Sequence, residues 1–182
     1  MDLIDTHQHL IYQNEATYGW TKDIPALQSD FTVEDYHDLT KEYNIMGTLF
    51  MECAVDGPGY KKESNFINSI MQKSESGIKG LILSIRPEDD SEFDKWLEES
   101  KSLGVVGYRR VLHTEPNELS QQKNFRENII KIGKSGKPFD LCFREDQLKI
   151  ALELSKSCDE MNLILNHCGV PAIASGGRCS AS

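Results

Sequence analysis

Asp5, His7 and His9 close the first apolar run of the chain, Asp2-Leu3-Ile4-Asp5-Thr6-His7-Gln8-His9. Read as a strand, the run alternates its side chains between two faces, so these three share one face at steps of about 7 Å. A carboxylate and two imidazoles aimed at one volume can bind a divalent cation, or polarise a carbonyl without one. A His-X-His pair on a surface strand would only hydrogen-bond to solvent. Leu3 and Ile4 point instead to a buried strand ending in polar groups, which is how barrel enzymes present their sites. Two later runs end the same way. Gly104-Val105-Val106-Gly107-Tyr108-Arg109-Arg110-Val111-Leu112-His113 puts Gly107, Arg109, Val111 and His113 on one face, with Tyr108 and Arg110 on the other. A guanidinium turned inward beside a glycine needs an anionic or carbonyl partner. Asn162-Leu163-Ile164-Leu165-Asn166-His167 delivers a third histidine to a strand end, ahead of Gly169-Val170-Pro171.

The elements that must position these groups alternate. Strand-like runs fall near residues 2–8, 45–52, 78–85, 105–112, 138–143 and 162–167, and amphipathic stretches near 32–43, 61–73, 89–102, 121–134 and 146–160. Thr32, followed by Glu34 and Asp35, reads as an N-cap with acids in the first turn. Gly136 before Pro138 reads as a helix stop. Strands separated by helices of this length predict βαβ units and a parallel sheet in one domain. The near-continuous apolar runs (Ile45 to Met51, Leu81 to Ile85, Leu163 to Leu165) predict a sheet covered on both faces. The longest connection, residues 10–31, carries Tyr12, Tyr18 and Trp20. It reads either as the wall of a substrate pocket or as a loop whose Trp20 packs on a neighbouring helix.

Composition narrows the partners. The 182 residues carry a net charge of −9, with 38% hydrophobic and 27% charged residues, an ordinary globular balance. That charge disfavours a nucleic acid or an anionic membrane, and leaves room for a small anionic substrate held by a few arginines. No apolar run approaches the roughly 18 residues of a membrane span, and Met1-Asp2 opens without the basic region of a secretory signal. Cys53, Cys142, Cys158, Cys168 and Cys179 include no C-x-x-C pair, so they read as reduced thiols of a cytoplasmic protein, with Cys168 a small apolar residue beside His167.

Asp5-Thr6-His7-Gln8-His9, Gly107-Tyr108-Arg109-Arg110-Val111-Leu112 and Asn166-His167-Cys168-Gly169-Val170-Pro171 together resemble the amidohydrolase-related family. The closest branch is that of TIM-barrel hydrolases including sugar-acid and pyrone-dicarboxylate lactonases. The Asp-x-His-x-His motif is shared with related deaminases and nucleases; the two later segments, in order and spacing, single out the lactonase branch. The resemblance implies an α/β fold of the (β/α)8 TIM-barrel type, truncated here to about six strands, with residues 1–177 as an incomplete barrel and 178–182 as an unstructured tail. It implies His7, His9 and His167 as catalytic residues and as ligands of a divalent metal, zinc first, although metal-independent action also occurs in this branch. Arg109, with Arg110 and His113 of the same strand, is implied as substrate-binding. The implied reaction is opening of a sugar-acid or related carboxylated lactone by an activated water. The alternatives are decarboxylation or amide hydrolysis within the same superfamily, or a catalytically inactive fragment. The family's aspartate at the end of an eighth strand has no counterpart here, and Asp5 and Glu52 are the carboxylates that could replace it. A small-molecule substrate is the expected partner, together with self-association through the open sheet edge.

Overall fold

The computed structural model describes residues 1–158 and 160–173, so the expected tail at 178–182 lies outside the described residues. Along them run strands β1 (Asp2–Gln8), β2 (Asn44–Met51), β3 (Ile78–Ser84), β4 (Val105–Val111), β5 (Phe139–Cys142) and β6 (Leu163–Leu165). Helices α1 (Val33–Thr40), α2 (Tyr60–Met71), α3 (Phe93–Glu99), α4 (Lys123–Lys134) and α5 (Leu148–Ser157) separate them. Strand order in the sheet is chain order. The alternation expected from the sequence is therefore present, strand for strand.

The chain divides into two compact units, Met1–Ser84 with Glu99–Val106, and Ile85–Glu98 with Gly107 onward. In the first, β1 pairs with β2 and β2 with β3, all parallel. In the second, β4 pairs with β5 and β5 with β6, again parallel. β3 is buried nearly throughout, with Leu81 and Leu83 fully inaccessible, and helices supply Ile67 to the first unit and Phe125, Ile129 and Leu154 to the second. Leu83→Ala removes a fully buried side chain and should cost about 2–5 kcal/mol, read as a lower midpoint in urea.

Two local predictions hold. Thr32 caps α1: its hydroxyl accepts from the Asp35 N–H at 3.2 Å, and the Asp35 carboxylate accepts from the Thr32 N–H at 2.8 Å. Thr32→Ala should therefore cost about 1 kcal/mol, measurable by chemical denaturation. Gly136 follows α4 with a φ of 77°, the left-handed conformation that stops a helix cheaply only at glycine.

Two expectations need correction. Asp5, His7 and His9 do not follow simple alternation, because Asp5 pairs with Thr48 while Gln8 pairs with Phe50. Three steps on β1 oppose two on β2, a bulge that shifts which face the following side chains meet. Gln8 turns inward as a result and accepts a 2.8 Å hydrogen bond from the buried Thr48 hydroxyl. The apolar runs at the edges are also not covered: Ile4 is 64% exposed on β1, and Ile164 is 45% exposed on β6. These strands end the sheet and have one neighbour each. Exposure is not confined to the end strands, since Met46 on β2 is 57% exposed as well, so a continuous apolar run does not by itself report cover on both faces.

Candidate active site

In the first unit the bulge sets the two histidines against each other, with ring centroids 4.9 Å apart and planes at 80°. His9 Nδ1 lies 3.0 Å from the Met51 carbonyl. A carbonyl can only accept, so Nδ1 carries the ring proton and Nε2 the lone pair. A backbone carbonyl behind one ring nitrogen is also the usual support of a metal-binding imidazole. Cys53, buried at the end of β2, donates to the Leu10 carbonyl at 3.2 Å and lies 3.5 Å from His9 Nδ1. Asp5 stands behind this pair: one oxygen accepts from the His7 N–H at 2.9 Å and the other from the Tyr36 hydroxyl at 2.8 Å. One oxygen holds the bulge and the other ties it to Tyr36 of α1, which argues against Asp5 as the proton acceptor. Glu52 is buried, and one of its oxygens accepts from the N–H of Ala54 at 2.8 Å, where the backbone is left-handed (φ 52°).

The connection from residue 10 to residue 31 is tied to these strand ends. Ile11 and Phe31 exchange backbone hydrogen bonds at 2.9 and 2.8 Å. The Trp20 indole donates to the Cys53 carbonyl at 2.8 Å while the side chain stays 47% exposed. This anchoring beside the residue that meets His9 supports the pocket-wall alternative.

In the second unit Arg109 is 5% exposed, and the register sets Asp140 directly across from it. Asp140 is itself buried and accepts from the Asn166 amide at 2.7 Å. Arg109 Nη2 reaches the Cys142 sulfur at 3.1 Å, and His113 Nδ1 lies 3.1 Å from the same atom. The Arg144 guanidinium donates to the His113 carbonyl. The sequence reading singled out none of Asp140, Cys142, Arg144 or Asn166, although an aspartate inside the apolar run Phe139–Cys142 is a signal in itself. Arg110 faces the other way. Its guanidinium meets Glu88 at 2.7 Å and Glu115 at 3.0 Å, so its charge is matched by protein carboxylates.

His167 follows β6 in a left-handed conformation (φ 51°), and Cys168 and Val170 adopt the same region. Left-handed backbone costs about 1–3 kcal/mol at each non-glycine residue and collects at functional sites. Desolvation and the nearby Arg109 charge hold the His167 pKa below the usual imidazole value. Burial, Arg109, Arg144 and His167 do the same for His113. Both rings therefore stay neutral in the folded protein at a pH where the unfolded chain has begun to take up protons. Their contribution to stability is complete above the unfolded pKa of about 6.5 and is lost as pH falls through the folded values. The urea midpoint should drop between pH 7.5 and pH 5, and a His113→Asn, His167→Asn double variant should show a shallower drop.

Each unit thus presents a chemically distinct set of strand-end groups, the imidazole pair in the first and the arginine–imidazole cluster in the second. Among the described residues no three His, Cys, Asp or Glu side chains converge as a cation cage. His7 and His9 suit a metal as two imidazole donors, one with its tautomer fixed, short of the three protein ligands of a catalytic zinc site.

Parallel strands alternating with helices in chain order, with polar groups gathered at the strand ends, are the features of an α/β protein of the TIM-barrel type. The sequence profile of the Amidohydrolase family matches residues 4–180, and the chain belongs to that family. An uncharacterised protein of Sinorhizobium fredii, y4mH, is 22% identical over 92% of this chain and 62% of its own length. An amidohydrolase of Burkholderia multivorans, crystallised with bound zinc, superimposes with a TM-score of 0.79 at 18% identity, covering 94% of this chain and 59% of that one. A probable 2-pyrone-4,6-dicarboxylic acid hydrolase of Acinetobacter baumannii with bound citric acid gives 0.70 at 16% identity, covering 93% and 59%. The chain spans about 60% of the length of these relatives. No described helix is long and apolar enough to cross a membrane.

Proposed function

We propose that this protein is a hydrolase of carboxylated cyclic esters, sugar-acid or pyrone-dicarboxylate lactones, in the cytoplasm. One observation carries the reading: a chain of net charge −9 buries Arg109 beside two imidazoles whose pKa values are held down. The local field there is positive against the sign of the whole protein, as a small anionic substrate requires. The A. baumannii relative, crystallised with a tricarboxylic acid, supports the same substrate class.

Arg109 receives the substrate carboxylate, where a planar fork of donors matches two oxygens. Arg110, neutralised by Glu88 and Glu115, braces the segments that follow β3 and β4. His7 and His9 polarise the ring carbonyl, and His167, neutral at pH 7, accepts a proton from the attacking water. Water adds to the carbonyl carbon, the ring C–O bond breaks, the leaving ring oxygen takes the proton held by His167, and the product is a hydroxy acid whose new carboxyl group ionises. The family is typically metal-dependent, and a divalent ion, zinc first, would be held by His7 and His9 and add Lewis-acid polarisation of the carbonyl.

A panel of carboxylated lactones followed by acid release tests this. Stoichiometric acid with no gas or ammonia is expected. Carbon dioxide or ammonia as the product would replace the reading with decarboxylation or amide hydrolysis, and an inert protein would remove it. Exposed apolar residues on the edge strands, Ile4 and Ile164, further support self-association. Light scattering should give a mass that rises with concentration and falls when each is replaced by Lys.

A further inference from the structure

Cys142 ends β5 fully buried, yet its sulfur faces two polar groups rather than apolar ones. The register explains why. Arg109 pairs with Asp140 and Val111 with Cys142, so Arg109, His113 and Cys142 all belong to one face of the β4–β5 pair. Arg109 can only donate, and it does so to the sulfur from 3.1 Å. A neutral thiol has a single proton of its own, and the other group in reach is His113 Nδ1, also at 3.1 Å. With the sulfur accepting from Arg109, its one proton is left to be donated to Nδ1, the arrangement in which each of the three groups meets its complement. A serine there could do both; an alanine could do neither.

We propose that Cys142 is a positioning residue: its sulfur fixes the direction of the Arg109 guanidinium and, by giving its S–H to Nδ1, keeps the His113 proton on Nε2. The substrate-facing consequence rests on the carboxylate reading above; the tautomer does not. His113 then presents an N–H donor beside the guanidinium, and the two form a preset pair of donors for one carboxylate. The charged and titratable groups around His113 are Arg109 from β4, Cys142 from β5, and Arg144 and His167 from the segments after β5 and β6. Arg109, Arg144 and His167 reinforce a neutral His113 while the Cys142 backbone works the other way, so the Cys142 thiol competes with its own backbone for the ring proton and, on this proposal, sets the tautomer.

Nitrogen-15 NMR of the histidine rings reads that tautomer directly, and citrate titration reads the anion. In the wild type and in Cys142→Ser, His113 should show a single Nε2–H form. In Cys142→Ala it should show both tautomers, and citrate should bind about tenfold more weakly, the loss expected from one charge-assisted hydrogen bond. An Nδ1–H form in the wild type, or ring signals in Cys142→Ala unchanged from it, overturns the proposal. If the tautomer responds as stated while the wild type fails to bind citrate, the thiol clamp stands and the carboxylate reading falls.

Discussion

Replacing Arg109 with Met should weaken citrate binding by at least about 30-fold, and by more if the site desolvates its ligand fully. Truncating one partner of a buried, hydrogen-bonded charge pair costs about 2–5 kcal/mol, and Arg109, the proposed partner of the citrate carboxylate, is buried with its guanidinium against the Cys142 sulfur. Arg109→Met also removes the buried donor to the Cys142 sulfur, so a lower thermal midpoint is expected alongside the lost affinity. Arg109→Lys separates the two effects. It keeps a buried cationic donor but not the fork, so stability should largely return while citrate affinity stays about tenfold down. Calorimetry on the three proteins checks this. Equal affinity in all three would remove Arg109 from the anion site.

His7→Ala and His9→Ala should each lower lactone hydrolysis by about 100-fold or more, the size of effect seen when one group that stabilises developing charge is removed. The two should not multiply, because the rings contact each other and act as a unit. His9→Asn should behave like His9→Ala in turnover even if its amide keeps the hydrogen bond to the Met51 carbonyl. Initial rates on any lactone the wild type opens, with circular dichroism as the folding control, decide this. Full activity in both single variants would take the imidazole pair out of the chemistry.

The alternation of strands and helices was legible because each helix announces itself locally, as Thr32 and Gly136 do. His7, His9, Arg109 and His167 were legible because polar residues at the ends of apolar runs stand out against their neighbours. What escaped was set by pairing between distant strands. The β1 bulge depends on how Asp5 and Gln8 register against Thr48 and Phe50, and nothing in Asp5-Thr6-His7-Gln8 alone specifies it. Strand parity put the two adjacent arginines on opposite faces, but that Glu88 and Glu115 neutralise Arg110 depends on segments outside its strand. Cys142 read only as one of five reduced thiols, because its partners lie 29 and 33 positions away. Ile4 and Ile164 read as core because composition cannot tell an end strand from an inner one.

Hydrolysis of a carboxylated lactone compared with its methyl ester tests the central claim most directly, since the two differ only in the charge that Arg109 is proposed to read. Acid release from the carboxylate at least about 30-fold faster in kcat/KM, a preference that disappears in Arg109→Met, is the predicted result. Equal rates on both, or turnover of neither, would contradict it.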